Sequence, residues 1–187
     1  MKLNTGASIP AIGLGTWKSS EEDAYNAVLS ALRAGYKHID TAAIYRNEAA
    51  VGRALRDSGI PREEIFLTSK LWCTQLKDPQ TALDQTLARL GLDYVDLYLI
   101  HWPVALNTDN IKDGDLLTFT TKENGERDVD LEWSFVDTWK LMQKIPTTGK
   151  AKAVGVSNFS ISNLEKLANS EGVDLVPAAN QIEIHPQ

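Results

Sequence analysis

The chain has 187 residues with 25 acidic and 19 basic side chains and a net charge of −6, which excludes the strongly basic surface typical of nucleic-acid-binding proteins. Hydrophobic residues make up 43% of the chain, enough for a folded core. No apolar run approaches the roughly 20 residues of a membrane-spanning helix, the N-terminus lacks a hydrophobic signal core, and one cysteine allows no internal disulfide. We therefore expect a cytoplasmic protein with neither nucleic-acid nor membrane partners.

Six short runs rich in β-branched and other apolar residues alternate with helical patterns. The runs cover residues 11–16, 38–42, 65–70, 95–101, 152–157 and 178–184. Between them, apolar side chains recur at helical spacing, with predicted helix starts at a Ser19–Glu22 capping box and near Asn47. A further predicted helix carries Trp133 and Met142. This alternation predicts a parallel sheet built from right-handed strand–helix–strand units.

Two layouts can hold such units, an open doubly wound sheet or a barrel. The first strand–helix turn, 13–18, reads Gly-Leu-Gly-Thr-Trp-Lys and lacks the third glycine of the dinucleotide-binding Gly-x-Gly-x-x-Gly turn. The sequence therefore predicts an α/β fold of the (β/α)8 barrel type. A complete barrel usually takes about 250 residues, so we expect one barrel domain over residues 1–187, incomplete at its C-terminus, with about six of the eight units.

A long polar stretch, residues 104–130, separates the fourth predicted strand from its helix. Loops longer than about 12–15 residues are usually functional or disordered. Two interpretations stay open for this stretch, a lid on the substrate side of the barrel and a tolerated surface insertion.

Ionisable side chains stand at the C-terminal ends of three predicted strands. These are Asp40, Lys70 and His101, and Tyr45 lies in the loop that follows Asp40. In a parallel barrel these strand ends share one face, where active sites are built. Taken singly, each residue has a structural explanation. Asp40 would cap a turn and Lys70 would extend to solvent. His101 would be a hydrogen-bonded loop residue, and Tyr45 would pack its ring in the core. Their coincidence on one face favours a catalytic site.

These four side chains suit protonation of an oxygen on which charge develops. The phenol of Tyr45 has an ordinary pKa of about 10, and we expect the neighbouring Lys70 cation to lower that pKa. Asp40 would keep Lys70 charged, and His101 would orient a carbonyl by a hydrogen bond. The three histidines lack metal-ligand spacing, so no metal site is predicted. Carbonyl reduction by hydride fits best, and a barrel enzyme with Lys70 as a Schiff base stays open.

Six motifs, in order along the chain, resemble those of the aldo-keto reductase family. They are Gly13-Leu14-Gly15-Thr16-Trp17, His38-Ile39-Asp40-Thr41-Ala42 with Tyr45, Ser69-Lys70-Leu71-Trp72, Leu99-Ile100-His101-Trp102-Pro103, Gly155-Val156-Ser157-Asn158-Phe159 and Asn180-Gln181-Ile182-Glu183. Residues 45–48 look most like those of fungal aldehyde reductases and glycerol dehydrogenases. The resemblance implies reduction of aldehydes and ketones by NADPH, giving NADP+, with Tyr45 as the general acid that Asp40 and Lys70 tune.

The resemblance also implies which residues would bind the cofactor and the substrate. Thr16 and Asp40 would approach the nicotinamide and its ribose. The carboxamide of the nicotinamide would be bound by Ser157, Asn158 and Gln181. The carbonyl substrate would lie against His101 within an apolar wall of Trp17, Trp72 and Trp102.

The family's later segments supply an aromatic ring that stacks on the nicotinamide and a basic cluster for the 2′-phosphate of NADPH. Neither can be assigned in this sequence, so NADPH rather than NADH follows from the resemblance alone. We therefore expect the isolated chain to bind dinucleotide weakly, and a full-length protein to be a monomer. The alternative function is a catalytically impaired fragment or a non-enzymatic module that binds dinucleotide or regulates a partner.

Overall fold

The computed structural model describes residues 1–111 and 113–185. Its strands are β1 (Leu14–Gly15), β2 (His38–Asp40), β3 (Phe66–Leu71), β4 (Val95–Ile100), β5 (Ala151–Ser157) and β6 (Asn180–Gln181). Its helices are α1 (Glu21–Arg33), α2 (Glu48–Asp57), α3 (Pro79–Leu90), α4 (Phe135–Met142) and α5 (Ile161–Ala168). All strand pairs are parallel, and the strands lie side by side in chain order, which confirms the predicted alternation.

The sheet curls, so that its last strand approaches its second. Gln181 on β6 donates from Nε2 to Oδ2 of Asp40 on β2 at 2.8 Å. Neighbouring strands lie about 4.8 Å apart, so a flat sheet would hold these two residues far from each other. Within the described residues, no helix has both the length and the apolar character required to cross a bilayer.

Side-chain alternation along the strands produces two apolar layers. Tyr98 and Ile100 on β4 pack with residues of the helices in the larger core, on the convex face. Leu97 and Leu99 on the same strand face the other way and form a smaller cluster with Phe66 and Ala153. The concave face of the sheet is therefore apolar in its lower part and leaves the C-terminal strand ends for polar side chains.

The local boundaries differ from the predicted ones where the chain has few neighbours. The edge strands β1 and β6 are two residues long each, shorter than the predicted runs, because each has only one neighbour to supply ladder hydrogen bonds. The N-cap of α1 is Ser20, whose hydroxyl accepts from Asp23 N at 3.1 Å; the predicted Ser19–Glu22 box is shifted by one residue. Trp133 precedes α4 and is not part of it.

Asp96, near the start of β4, binds three groups at the base of the sheet. Its carboxylate accepts from Arg62 Nη2 at 2.8 Å, from Leu67 N at 3.0 Å and from Lys152 Nζ at 3.1 Å. The side chain is 10% exposed. Asp96→Ala is expected to lower the free energy of unfolding by about 3–5 kcal/mol, because it leaves buried donors unpaired. Urea denaturation measures this loss.

The matched control for that prediction is Asp84→Ala, which removes the exposed ion pair of Asp84 with Lys150 at 2.7 Å. An exposed pair of this kind contributes about 0–1 kcal/mol. Equal losses in the two variants would contradict the structural role given to Asp96.

Candidate active site

The concave face of the sheet gathers the four predicted catalytic side chains. Asp40 ends β2, Lys70 is the penultimate residue of β3, and His101 directly follows β4. A 3-10 turn over Ala43–Tyr45 follows β2 and brings the Tyr45 phenol back beside Lys70. The structure thus places all four side chains together at the C-terminal edge of the sheet, as the sequence predicted.

The Lys70 ammonium lies at the centre of this group and is 1% exposed. Its Nζ donates to Asp40 Oδ1 at 2.5 Å, to the Thr41 carbonyl at 3.0 Å and to Tyr45 Oη at 3.4 Å. Burial lowers the pKa of Lys70, and the adjacent Asp40 carboxylate opposes that shift. The three hydrogens of the ammonium therefore have three oxygen acceptors.

The phenol of Tyr45 is held in its protonated form. Burial, reinforced by the Asp40 charge, raises the pKa of Tyr45 above its ordinary value. The predicted net lowering of this pKa is wrong, because burial and the Asp40 charge outweigh the effect of the Lys70 ammonium, which Asp40 compensates at 2.5 Å. Tyr45 Oη accepts a hydrogen bond from Lys70, and none of the described residues accepts the phenolic hydrogen. That hydrogen is free to be donated to a bound oxygen.

His101 is a neutral ring beside the phenol. It is 7% exposed, and burial, followed by the Lys70 charge, lowers the pKa of His101 to about 3. Its ring lies edge-on to Tyr45 at 5.7 Å and to Trp72 at 5.4 Å between centroids. A neutral imidazole carries one N–H donor, so His101 can donate one hydrogen bond to an oxygen beside Tyr45.

The predicted carboxamide-binding residues form a connected group next to the four. Ser157 Oγ donates to the Gln181 carbonyl at 2.9 Å, and Asn158 Nδ2 donates to the His101 carbonyl at 2.9 Å. The Gln181 amide nitrogen binds Asp40. Among the described residues, no donor reaches the side-chain oxygens of Asn158 and Gln181. These two oxygens are acceptors that an amide group of a ligand can use.

The side chain of Thr16, predicted to approach the nicotinamide, lies among polar side chains beneath Asp40. It is 1% exposed, and its hydroxyl lies 3.0 Å from Thr41 Oγ1 and 3.3 Å from Asn47 Oδ1. Its hydroxyl is therefore occupied inside the protein. Asn47 was missed by the sequence analysis as a member of the site, since an Asn at a helix start is typical of an ordinary cap; here its side chain makes no cap bond to α2.

The three tryptophans of the predicted substrate wall differ in exposure. Trp72 is 2% exposed and packs edge-on against His101. Trp17 and Trp102 are 62% and 46% exposed, and neither has a ring contact with the four catalytic candidates in the described part of the chain. Both present apolar surface to solvent.

The long polar stretch lies against the site. Trp72 Nε1 donates to the Thr118 carbonyl at 2.7 Å, and the Trp72 ring lies edge-on to Phe119 at 4.7 Å. Arg46, next to Tyr45, forms an ion pair with Asp115 and donates to the Leu117 carbonyl at 2.6 Å. Of the two interpretations left open for this stretch, these contacts favour a wall or lid of the site.

Comparisons with known proteins agree with this geometry. A family model described as the aldo/keto reductase family matches residues 11–187. Over its full length the chain is 65% identical to a glycerol 2-dehydrogenase (NADP(+)) and 61% identical to an aldehyde reductase, both from Saccharomyces cerevisiae. The chain spans about 60% of the length of each of these two relatives.

The structure itself resembles a solved one, an aldose reductase from Schistosoma japonicum, with a TM-score of 0.90 and 44% identity. That likeness covers 99% of this chain and 60% of the other. The six parallel strands thus form a curled part of a (β/α)8 barrel, as predicted. Sequence, fold and the family match agree, and the chain belongs to the aldo/keto reductase family.

Proposed function

We propose that the protein reduces aldehydes and ketones to alcohols, with NADPH as the hydride donor. The observation that carries the proposal is the protonated Tyr45 phenol, held by Lys70 at 3.4 Å beside the neutral ring of His101. The names of two close relatives, an aldehyde reductase and a glycerol 2-dehydrogenase (NADP(+)), support it.

The chain's own side chains supply the proton and the orientation. A reduced nicotinamide held by Asn158, Gln181 and Asp40 would supply the hydride for the carbonyl carbon. Tyr45 donates its phenolic proton to the carbonyl oxygen, so that the C=O bond becomes an alcohol. Lys70 stabilises the resulting phenolate, which regains a proton from water, and Asp40 keeps Lys70 oriented. His101 donates a hydrogen bond to the same carbonyl oxygen and fixes its angle.

The residues around Asp40 fit a nicotinamide. The free side-chain oxygens of Asn158 and Gln181 can accept from the carboxamide NH2, and Ser157 lies beside them, with its Oγ 3.1 Å from Asn158 Nδ2. Asp40 binds Lys70 and Gln181 through different oxygens, and a carboxylate has about four acceptor positions. Asp40 therefore keeps capacity for a ribose hydroxyl. Thr16 would contribute by supporting the backbone at Asp40.

The wall of the site is aromatic. Trp72 and Phe119 pack edge-on, while Trp102 and Trp17 expose apolar surface at the strand ends. We infer a preference for uncharged aldehydes with apolar substituents, because such a surface binds apolar groups without a compensating charge for an anion.

The test uses the native protein, whose length an intact-mass measurement fixes. NADPH is mixed with benzaldehyde or with the anionic aldehyde glyoxylate, and the loss of reduced-nicotinamide absorbance is followed. We expect oxidation of NADPH that depends on aldehyde and is at least tenfold faster with benzaldehyde, a ratio of about 1.4 kcal/mol. NADPH binding without oxidation would identify a non-enzymatic dinucleotide-binding module and overturn the proposal. An NADH series under the same conditions tests the cofactor preference.

A further inference from the structure

Asn47 joins two loops beneath the candidate active site, the one after β1 and the one between β2 and α2. Its side chain belongs to a residue that is 1% exposed. Its Nδ2 donates to the carbonyls of Thr16 at 2.9 Å and Ser19 at 3.1 Å, in the loop after β1. Its Oδ1 lies 3.3 Å from the hydroxyl of Thr41, which follows β2. The amide thus uses both its donors toward the loop after β1 and its acceptor within its own loop, and it makes no side-chain cap on its own helix.

Thr16 and Thr41 complete this unit, which we name the Asn47 clamp, consisting of Thr16, Thr41 and Asn47. The Thr16 hydroxyl donates to Thr41 Oγ1 at 3.0 Å, and the Thr41 hydroxyl donates to Asn47 Oδ1. All three residues are buried. A buried polar network whose members are paired fixes one local arrangement, since any other would leave a polar group unpaired.

The clamp holds the backbone that carries the catalytic ion pair. Thr16 N donates to the Asp40 carbonyl at 3.0 Å. The Thr41 carbonyl accepts from Lys70 Nζ at 3.0 Å. The side chains of Asn47, Thr16 and Thr41 have no contact with Tyr45 or His101 among the described hydrogen bonds. They can act on the reaction only through the position of Asp40 and Lys70.

We propose that the Asn47 clamp is a positioning unit that keeps the Thr41 carbonyl against the Lys70 ammonium and so keeps Lys70 protonated beneath Tyr45. The inference rests on the proposed function for its catalytic readout. Without the clamp, Thr41 keeps its backbone bond from N to the Thr68 carbonyl at 2.9 Å, but its own carbonyl is less firmly held against the ammonium as one of three acceptors. A hydrogen bond to the charged form favours that form, so its weakening lowers the pKa of Lys70 further.

The direction of the pH effect follows from the charges that face Lys70. They are Asp40 and His38 on β2, Tyr45 in the turn, Glu48 at the start of α2 and His101 after β4. Thr41→Val leaves all of these groups in the chain. Deprotonation of Lys70 removes the cation that stabilises the Tyr45 phenolate, so kcat falls as pH rises through the pKa of Lys70. A lower pKa therefore moves the basic limb of the kcat profile to lower pH.

The experiment compares three threonine variants of the native protein. Thr41→Val removes the hydroxyl and keeps the shape, Thr41→Ser keeps the hydroxyl, and Thr138→Val makes the same change on α4. Thr138 is the matched control because it is buried and its hydroxyl accepts from Trp133 Nε1 at 2.9 Å, away from the site. The measurements are kcat and KM for benzaldehyde across pH, and the melting temperature.

We expect Thr41→Val to lower kcat by about 10- to 100-fold, the size of effect that a misplaced catalytic group produces, with a smaller change in KM and a basic limb at lower pH. Thr41→Ser is expected to recover most of kcat. Thr138→Val is expected to lower the melting temperature and leave the pH profile unchanged. A folded Thr41→Val protein with the wild-type profile, or the same profile change in Thr138→Val, would overturn the proposal.

A second readout needs no turnover. The Lys70 ammonium gives a ¹H–¹⁵N NMR signal that its loss in Lys70→Met identifies, and we expect this signal to titrate at lower pH in Thr41→Val. An unchanged titration of the Lys70 signal would overturn the positioning role of the clamp, whether or not the protein reduces carbonyls. A shifted titration in a protein without carbonyl reduction would support the clamp and reject the proposed function.

Discussion

Tyr45→Phe is expected to lower kcat for aldehyde reduction by about 10²–10⁴-fold, the usual contribution of a general acid, while NADPH affinity stays close to that of the wild type. The phenolic hydrogen has no acceptor among the described residues, whereas the three Lys70 hydrogens are engaged. The variant keeps the ring that packs edge-on to His101 and removes only the donor. Steady-state absorbance assays measure kcat, and nicotinamide fluorescence titration measures binding.

Tyr98→Phe is the matched control for this change. The Tyr98 side chain is fully buried, and its ring lies in the core of the convex face, away from the catalytic candidates. The loss of its hydroxyl is therefore expected to leave kcat within about twofold of the wild type, since uncoupled sites rarely interact. A Tyr45→Phe enzyme that keeps more than a tenth of wild-type kcat would show that another group donates the proton.

Lys70→Met is expected to be the second severe change, with loss of activity comparable to that of Tyr45→Phe and a loss of stability of about 3 kcal/mol. Removing one partner of a buried ion pair leaves the other charge uncompensated, and Asp40 is the charge left here, with a side chain 17% exposed. The uncompensated carboxylate also raises the pKa of Tyr45 further, which makes the phenol a weaker acid. Urea denaturation and the aldehyde assay measure the two effects.

The double variant Asp40→Asn/Lys70→Met separates stability from catalysis. With both charges removed, we expect most of the stability to return and the activity to stay low. Recovery of activity together with stability would mean that Lys70 serves only the fold.

Borohydride treatment with an aldehyde is expected to leave the mass of the wild-type protein unchanged, because an ammonium with three acceptors offers no lone pair for a Schiff base. A trapped adduct on Lys70 would favour the Schiff-base alternative.

The positions of the catalytic candidates could be predicted because they depend on local pattern. Asp40, Lys70 and His101 end apolar runs, and parallel strands place such ends at one edge. Side-chain alternation then sets all three on the concave face. The lengths of β1 and β6 could not be predicted in the same way, since they depend on how many neighbouring strands are present rather than on their own residues.

Properties that depend on packing between distant segments could not be predicted from the sequence. The pKa of Tyr45 moves opposite to the predicted direction, because burial and the compensating Asp40 charge are set by tertiary structure. From the neighbouring residues in the sequence alone, Asn47 cannot be distinguished from an ordinary polar residue at a helix start. Its role appears only when the loop carrying Thr16 and Ser19 folds against it.

The strand order of the sheet has a consequence for how the protein is made. Each strand pairs with the one synthesised just before it, so a nascent chain leaving the ribosome can extend the sheet without waiting for a distant partner. Asp40, Tyr45 and Lys70 all lie within the segment that ends with β3. During translation, Asp40, Tyr45 and Lys70 are therefore all synthesised before His101, and the Lys70 ammonium can pair with the Asp40 carboxylate and the Tyr45 phenol first.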